Sequence, residues 1–165
     1  MRKYILVPLC IAIAMIALTG CQDENITPAA NIAESGYALT NKPEITVYKS
    51  ATCDCCKEWV TYLEEEGFLV TAIDHDDVES IKVKFGLPDP KLKSCHTAIV
   101  DGYIVEGHVP ANDIVRLLQE RPADIKGLSA PGMPTMSPGM ASRIPKDYAV
   151  FSFTESGDTT VYSQY

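Results

Sequence analysis

The sequence of 165 residues predicts an α/β fold with one folded domain. Short apolar, β-branched runs alternate with segments in which apolar residues recur at helical spacing. Gly67 and Gly86 directly follow two of the helical segments, at positions where helices commonly end. Asp101-Gly102 separates two further apolar runs and is typical of a two-residue hairpin turn. The predicted order of elements is β-α-β-α-β-β-α.

The first half of the domain is predicted to form a β-α-β unit followed by a second helix. Residues 44–48, EITVY, predict the first strand, and residues 57–66 predict a helix that follows a cysteine-rich turn. Residues 68–73, FLVTAI, predict the second strand. Residues 78–85 predict the second helix, which ends at a glycine.

The second half is predicted to contain a hairpin, a helix, a loop and a second hairpin. Residues 97–100 and 103–106 predict two short strands, and residues 111–121 predict the third helix. The composition then shifts toward Gly, Pro, Ser and Met, so residues 127–145 are predicted to form an irregular loop. Residues 148–165 contain two β-like runs around the turn-forming ESGD and predict a C-terminal β-hairpin.

This order of elements, with a cysteine pair where the first strand ends, is the thioredoxin-like arrangement. In that arrangement the first β-α-β crossover is parallel and right-handed, and the last two strands form an antiparallel hairpin. The loop that enters the third strand faces the cysteine motif, and here that loop carries Ser94-Cys95-His96. We therefore expect four thiols and an imidazole to converge.

The N-terminus has the features of a bacterial lipoprotein signal peptide. Residues 1–20 begin with Arg2 and Lys3 and continue with an apolar stretch too short for a confident membrane span. The apolar stretch ends in Leu18-Thr19-Gly20-Cys21, which resembles the lipobox. Cleavage at a lipobox leaves the cysteine, here Cys21, as the first residue, carrying a lipid. An ordinary secreted protein with an incidental cysteine remains the alternative.

The lipobox resemblance implies a protein on the periplasmic side of a bacterial membrane, and Gln22 after the cysteine favours the outer membrane. Residues 21–42 are polar and rich in small residues, which indicates a flexible tether between lipid and domain. Residues 43–165 are then the folded domain, which includes the loop and the C-terminal hairpin.

The charge of the mature chain argues against two classes of partner. The whole chain has 14 basic and 22 acidic residues, and removal of the signal leaves 12 against 22, a net charge of −10. Such an acidic surface argues against nucleic acid and anionic lipid as partners. We expect membrane attachment through the lipid anchor only.

Three cysteines lie within four positions of the stretch SATCDCCKEWV. Cys53 and Cys56 have the spacing of thiol-disulfide oxidoreductases, in which a helix N-terminus lowers the pKa of the first thiol. Asp54 between them disfavours the thiolate and opposes that effect. A thiol-disulfide oxidoreductase that uses Cys53 and Cys56, or a plain disulfide between them, nevertheless remains an alternative.

A bound metal accounts for all four cysteines of the domain, Cys53, Cys55, Cys56 and Cys95. Zinc prefers a tetrahedral set and would leave Cys55 idle, whereas adjacent cysteines such as Cys55 and Cys56 can bridge neighbouring ions. Several Cu(I) ions that share bridging thiolates bring the site close to neutrality, and soft ligands select Cu(I). The sequence thus favours a polynuclear Cu(I)-thiolate site over zinc. A passive metallochaperone that only carries copper is a further alternative.

Three methionines and two histidines of the domain have roles that the sequence leaves open. The thioethers of Met133, Met136 and Met140 are either additional copper ligands or core fillers. His96 is either a ligand or a hydrogen-bonded loop residue, and His108 is expected to cap or orient the turn before Pro110.

Three motifs resemble a known family. YKSATCDCCKEW, SCHTAIVDGYIVEGHVP and GLSAPGMPTMSPGM, followed by a terminal hairpin, are similar to the domain-of-unknown-function family of periplasmic copper-resistance CopG-like metal-binding proteins. The resemblance implies a thioredoxin-like fold, export to the periplasm, and several Cu(I) ions bound as a thiolate cluster. It also implies a role in copper resistance or copper redox handling, possible copper or thiol oxidoreductase activity, and copper-export or redox proteins of the envelope as partners.

The resemblance carries over to particular residues of this chain. The cysteine ligands of the family match Cys53, Cys55, Cys56 and Cys95, and recurrent motif positions match His96, His108, Met133 and Met140. The family commonly has glycine between the first two cysteines, where this chain has Asp54. That difference affects the expected loop geometry and redox potential, and the expected ligands are the same.

Overall fold

The computed structural model describes residues 42–87 and 89–165 of the chain. The predicted signal peptide, the lipidation site Cys21 and the tether up to residue 41 lie outside the described residues and stay predictions. Among the helices of the described ranges, none is long and apolar enough to cross a membrane.

The described part of the chain forms one mixed sheet with three α-helices and a single turn of 3₁₀-helix. The elements are β1 Glu44–Lys49, α1 Asp54–Glu65, β2 Leu69–Asp74, α2 Val78–Phe85, the 3₁₀ turn Pro90–Leu92, β3 Thr97–Val100, β4 Tyr103–Gly107, α3 Ala111–Glu120, β5 Gly127–Ala130, β6 Ala149–Phe153 and β7 Thr159–Gln164. The predicted α/β fold is confirmed.

The seven strands lie in the order β2-β1-β3-β4-β5-β6-β7. β1 and β2 are parallel and joined by α1, whereas β3 pairs antiparallel with both β1 and β4. The predicted parallel crossover and the predicted hairpin are therefore both present. Asp101 and Gly102 have φ values of 48° and 86°, as a type I′ turn requires at its two central positions.

The sheet separates a large hydrophobic core from a small one. The large core contains residues of α1 and α3, among them Trp59 and Leu117, which pack against Val105 of β4. The neighbouring residue Ile104 belongs to the small core, with Phe85 of α2 packed against it. Successive strand residues point to opposite faces, so this alternation places α1 and α3 over one face and the end of α2 over the other.

The prediction of an irregular loop over residues 127–145 was wrong in part, because this segment begins with a strand. β5, Gly127–Ala130, is parallel to β4 and antiparallel to β6, and all four of its residues are buried. A Cβ on Gly127 would lie 2.1 Å from the carbonyl oxygen of Ile104. The missing side chain of Gly127 thus permits the close approach of β4, and the four residues of β5 carry no alternating pattern that sequence analysis could detect.

The C-terminal hairpin of β6 and β7 is confirmed, and it is fastened to α3 by buried polar contacts. The carboxylate of Asp113 on α3 accepts hydrogen bonds from Ser163 Oγ at 2.5 Å and from Tyr165 Oη at 2.9 Å. Arg116 donates to the carbonyl oxygen of Tyr162 at 2.8 Å. The last strand is therefore an integral part of the domain.

Candidate metal centre

The cysteine motif lies where the chain leaves β1 and enters α1. The amide of Cys53 donates to the carbonyl of Ser50 at 3.2 Å, which closes the turn between the two elements. α1 begins at Asp54, three residues earlier than predicted, with Cys53 as its N-cap and with Cys55 and Cys56 in its first turn. The helix therefore presents its free amide groups at the cysteines.

Cys53 and Cys56 are joined by a disulfide, with their Cα atoms 5.3 Å apart. Two of the four predicted copper ligands are thus covalently paired with each other in this state. Cys55 and Cys95 are thiols, with no disulfide partner in the part of the chain that the structure describes.

The expected convergence of the four sulfurs is observed. Cys55 Sγ lies 3.5 Å from Cys53 Sγ and 4.0 Å from Cys95 Sγ. All four sulfur atoms lie within 4.8 Å of one another. The loop before β3 therefore faces the start of α1 and brings Cys95 to the cysteine motif.

Cys95 also belongs to a second group of possible ligands, with two histidines. Its sulfur lies 3.3 Å from His96 Nδ1 and 3.1 Å from His108 Nε2, and the three ligand atoms are within 4.8 Å of one another. His108 was expected to cap or orient the turn before Pro110, and both of its ring nitrogens contact groups outside that turn. Its Nδ1 donates to the carbonyl of Pro138 at 2.7 Å, which leaves the lone pair of Nε2 directed at Cys95.

Two hydrogen bonds between α1 and the segment after β4 fix the position of His108. Trp59 Nε1 donates to the carbonyl of Val109 at 3.0 Å, and the amide of Ala111 donates to the hydroxyl of Tyr62 at 3.0 Å. The residue after His108 is therefore held against the helix that carries the cysteines.

Burial sets the protonation of these groups in the metal-free protein. Burial, and next the nearby Cys55, raise the pKa of the Cys95 thiol to about 12. Burial lowers the pKa of His96 well below its usual range, with smaller contributions from His108 and Lys82, and burial also lowers the pKa of His108. Both imidazoles are neutral at pH 7, the form that binds metal, and a metal ion would displace the proton of Cys95.

The donor set fits a soft cation. The imidazole of His96 is fully buried, and its ring centroid lies 4.4 Å from that of Trp59 and 5.0 Å from that of His108. Its Nε2 has no hydrogen-bond partner among the described residues. Thiols and neutral imidazoles are ligands that suit copper or zinc rather than calcium or magnesium.

The methionine segment crosses the start of α1. Gly139 lies so close to the helix that a Cβ there would be 2.7 Å from the amide nitrogen of Trp59 and 2.8 Å from the carbonyl oxygen of Cys55. Met133 is 59% exposed, whereas Met136 and Met140 are half-buried. The segment is therefore placed beside the cysteines, and the assignment of its three methionines as ligands stays a prediction.

Sequence reasoning missed a buried ion pair below the site. Lys82 of α2 and Glu106 of β4 are almost fully buried, and Lys82 Nζ lies 2.7 Å from Glu106 Oε1. The signal was present in the sequence as a glutamate inside the largely apolar run YIVEGHV, only two residues before His108.

The fold and the site together define an α/β protein with a candidate centre for a thiophilic metal. The family described as a protein of unknown function, DUF411, matches residues 92–140, which include Cys95, His96 and His108. No curated protein matches the chain.

Two solved structures are similar to the chain over most of its length. They are titled "Copper resistance protein copG- Form 2" and "Copper resistance protein copG- Form 1", and each is 42% identical with a TM-score of 0.69. The similarity covers 76% of this chain, and 99% and 98% of those two chains respectively. The chain belongs to the CopG-like family of copper resistance proteins.

Proposed function

We propose that this chain is a copper-binding protein of the cell envelope that holds several Cu(I) ions in a thiolate site. The observation that supports this function is the convergence of Cys53, Cys55, Cys56 and Cys95, with two neutral imidazoles on Cys95. The membership in a family of copper resistance proteins supports copper as the metal. Its role is in copper resistance or in copper redox handling.

The disulfide gives the proposed site two states. With Cys53 and Cys56 paired, only the thiols of Cys55 and Cys95 and the two imidazoles are available as ligands. Reduction by two electrons, with uptake of two protons, releases two further thiols. Four thiols then lose their protons to bind Cu(I), so copper capacity depends on the redox state of the pair.

The same pair can supply electrons to copper. Two thiols that reduce two Cu(II) ions to Cu(I) lose one electron each, form the disulfide and release two protons. The Cu(I) produced is the form that thiolates and imidazoles hold well. An external reductant, such as an envelope thiol-disulfide protein, would restore the two thiols for the next cycle.

Anaerobic loading with Cu(I) tests the thiolate site. We expect several copper ions per chain after prior reduction, and fewer when Cys53 and Cys56 remain oxidised. Cys55→Ser should lower the stoichiometry, because Cys55 is the sulfur that bridges toward Cys95. Asp54→Asn, an exposed position in the same turn, is the matched control and should leave the stoichiometry unchanged. No copper in the reduced natural chain would reject the proposal.

The disulfide also supports a second candidate, a thiol-disulfide oxidoreductase that uses Cys53 and Cys56. In an insulin-reduction assay, Cys53→Ser would then abolish activity, whereas Cys55→Ser would retain it. Activity that both substitutions leave unchanged would eliminate this candidate.

A metallochaperone would bind copper without changing its oxidation state. A redox titration of the copper-loaded protein separates the two functions, since only copper redox handling requires thiol oxidation coupled to copper reduction. One disulfide formed for every two Cu(II) ions reduced supports the redox function. Copper uptake with all thiols retained supports carriage alone.

We further propose that the protein is a lipoprotein on the periplasmic side of a bacterial membrane, with the outer membrane favoured. Copper-export or redox proteins of the envelope are its proposed partners. Membrane fractionation tests the anchor, because Cys21→Ser should move the protein from the membrane to the soluble fraction.

A further inference from the structure

The buried ion pair of Lys82 and Glu106 lies directly behind the loop that carries Cys95 and His96. Lys82 is 1% exposed and Glu106 is 0% exposed. Lys82 Nζ donates to Glu106 Oε1 at 2.7 Å and to Thr97 Oγ1 at 3.0 Å. The two charges come from different elements, α2 and β4, and meet at the first residue of β3.

Stability alone does not explain this pair. Removing two charges from water costs free energy that their attraction often fails to recover, so apolar pairs of similar volume are commonly as stable. The fold nevertheless buries the Glu106 carboxylate completely and gives it Lys82 as a counterion. The other contacts of the carboxylate therefore need an explanation.

Those contacts hold both ends of one short loop. Glu106 Oε1 accepts the backbone amide of Ser94 at 2.6 Å, and Oε2 accepts the hydroxyl of Thr97 at 2.6 Å. Only Cys95 and His96 lie between these two residues. One carboxylate thus fixes the two flanks of the pair of ligand-bearing residues.

The same strand also sets the position of His108. The amide of Gly107 donates to the carbonyl of His96 at 3.0 Å. Gly107 has a φ of 72°, and a Cβ there would be 2.4 Å from Ser94 Cβ, so the loop lies directly on this glycine. Glu106 and Gly107 therefore connect the Cys95 loop to the residue just before His108.

We propose that Glu106 is a positioning residue, which together with its counterion Lys82 holds Cys95 and His96 in register with His108 and the cysteines of α1. The carboxylate has acceptor sites for three donors at once, which a neutral side chain of this size cannot provide. Lys82 compensates the buried negative charge. This proposal rests on the proposed function only for its effect on copper.

The reactivity of the Cys95 thiol tests the positioning without any metal. The test compares alkylation by iodoacetamide in the natural chain and in Lys82→Met/Glu106→Met, followed at Cys95 by peptide mass spectrometry under non-reducing conditions. The double substitution replaces both charges with apolar side chains and removes both loop contacts. We expect alkylation of Cys95 to become about fivefold faster or more, since two hydrogen bonds that restrain the loop are lost.

A conservative variant and a distant control separate positioning from general loosening. In Lys82→Met/Glu106→Gln, the amide can accept from Ser94 and donate to Thr97, so the rate should return to within about twofold of the natural rate. Asp113→Asn replaces another buried carboxylate, on α3, with an amide, and it should leave the alkylation rate of Cys95 unchanged. An unchanged rate in the Met/Met variant, or a rise of equal size in Asp113→Asn, would overturn the proposal.

Folding of each variant is checked by circular dichroism and by the emission of Trp59. If Lys82→Met/Glu106→Met does not fold, Thr97→Val is added to Lys82→Met/Glu106→Gln. This change removes the hydrogen bond between the side chains of residues 97 and 106, and it should raise the alkylation rate of Cys95 by an intermediate amount. A rate equal to that of the Lys82→Met/Glu106→Gln parent would then reject the proposal.

Copper binding provides a separate readout. Competition with a Cu(I) chelator should show about tenfold weaker binding in Met/Met and near-natural binding in Lys82→Met/Glu106→Gln. If the natural chain bound no copper, the proposed function would fail, while the alkylation rates would still decide the role of Glu106.

Discussion

At the scale of single residues, Cys95 is the centre of the candidate site. Its sulfur lies within contact distance of Cys55, His96 and His108 at once. The sequence predicts Cys95 as a metal ligand, and the fold brings three residues with possible ligand atoms to its sulfur. Cys53 and Cys56, by contrast, interact mainly with each other in the oxidised state.

The two buried histidines predict that the metal-free protein loses stability in mild acid. Because burial lowers the pKa of His96 and His108, the unfolded chain takes up protons below about pH 6.5 while the native state stays neutral. The free energy of unfolding should then fall by up to about 1.4 kcal/mol per pH unit for each histidine. Urea unfolding between pH 7.5 and 5.5 measures this slope.

The control for this prediction is His108→Gln, because other buried groups also titrate. Burial raises the pKa of Glu106 and Asp113, so their contribution has the opposite sign and is lost as pH rises above their usual values. The contribution of His108 is therefore the difference in slope between the natural chain and the variant. Equal slopes in both would contradict the prediction.

At the scale of elements, the sequence predicted those whose stability is local and missed those that depend on neighbours. The predicted bounds of α2, 78–85, match the structure because Asp77 caps one end and Gly86 the other, both of which are legible in the sequence. β5 has no such signal, since GLSA becomes a strand only through pairing with β4 and β6.

The close approach of the methionine segment to α1 gives a prediction at this scale. In Gly139→Ala, the new methyl group would lie 2.7 Å from the backbone nitrogen of Trp59, so helix or segment must move. We expect a loss of about 1–3 kcal/mol in the free energy of unfolding, beyond the effect of backbone conformation. Denaturant unfolding measures it.

Gly132→Ala is the matched control for this substitution. Gly132 also has a positive φ, 69° against 82° at Gly139, but a Cβ there would have no atom within 4 Å. Both variants carry similar backbone strain, and only Gly139→Ala carries the clash. If the two variants were equally stable, the close contact would not contribute.

At the scale of the whole molecule, the sequence could predict only those parts of the site whose position follows from the order of strands and helices. The sequence placed Cys95 opposite Cys53, Cys55 and Cys56 because the loop before β3 must approach the end of β1, and the structure confirms this. It could not place His108, because that depends on the turn at Gly107 and on the carbonyl of Pro138, thirty residues away. The oxidation of Cys53 and Cys56 was an open alternative at that stage.

The disulfide and the proposed copper site predict an order of stabilities for the domain. Opening the Cys53–Cys56 link, which closes a very short loop, should cost about 2 kcal/mol through the entropy of the unfolded chain. Cu(I) at about a hundredfold excess over its dissociation constant should then add about 2.7 kcal/mol to the reduced protein. In thermal unfolding, the reduced metal-free protein should have the lowest melting temperature. The oxidised protein, and the reduced protein with Cu(I) bound, should both melt at higher temperatures.

The control is Cys53→Ser/Cys56→Ser, whose melting temperature should not respond to reductant. A reduced natural protein that melts at the same temperature as the oxidised protein would contradict the first step. A reduced protein whose melting temperature does not rise with Cu(I) would contradict the second.

Cys95 is common to the group of four sulfurs and to the group with two imidazoles. In the proposed function, an ion bound to this sulfur could exchange its other ligands one at a time, from the imidazole side to the thiolate side, without dissociating from the protein. In the proposed function, metal binding at the two groups would therefore be coupled, since both would use the same thiolate. In the proposed function, such sharing would let an ion move stepwise between the two groups while Cys95 stays bound to it.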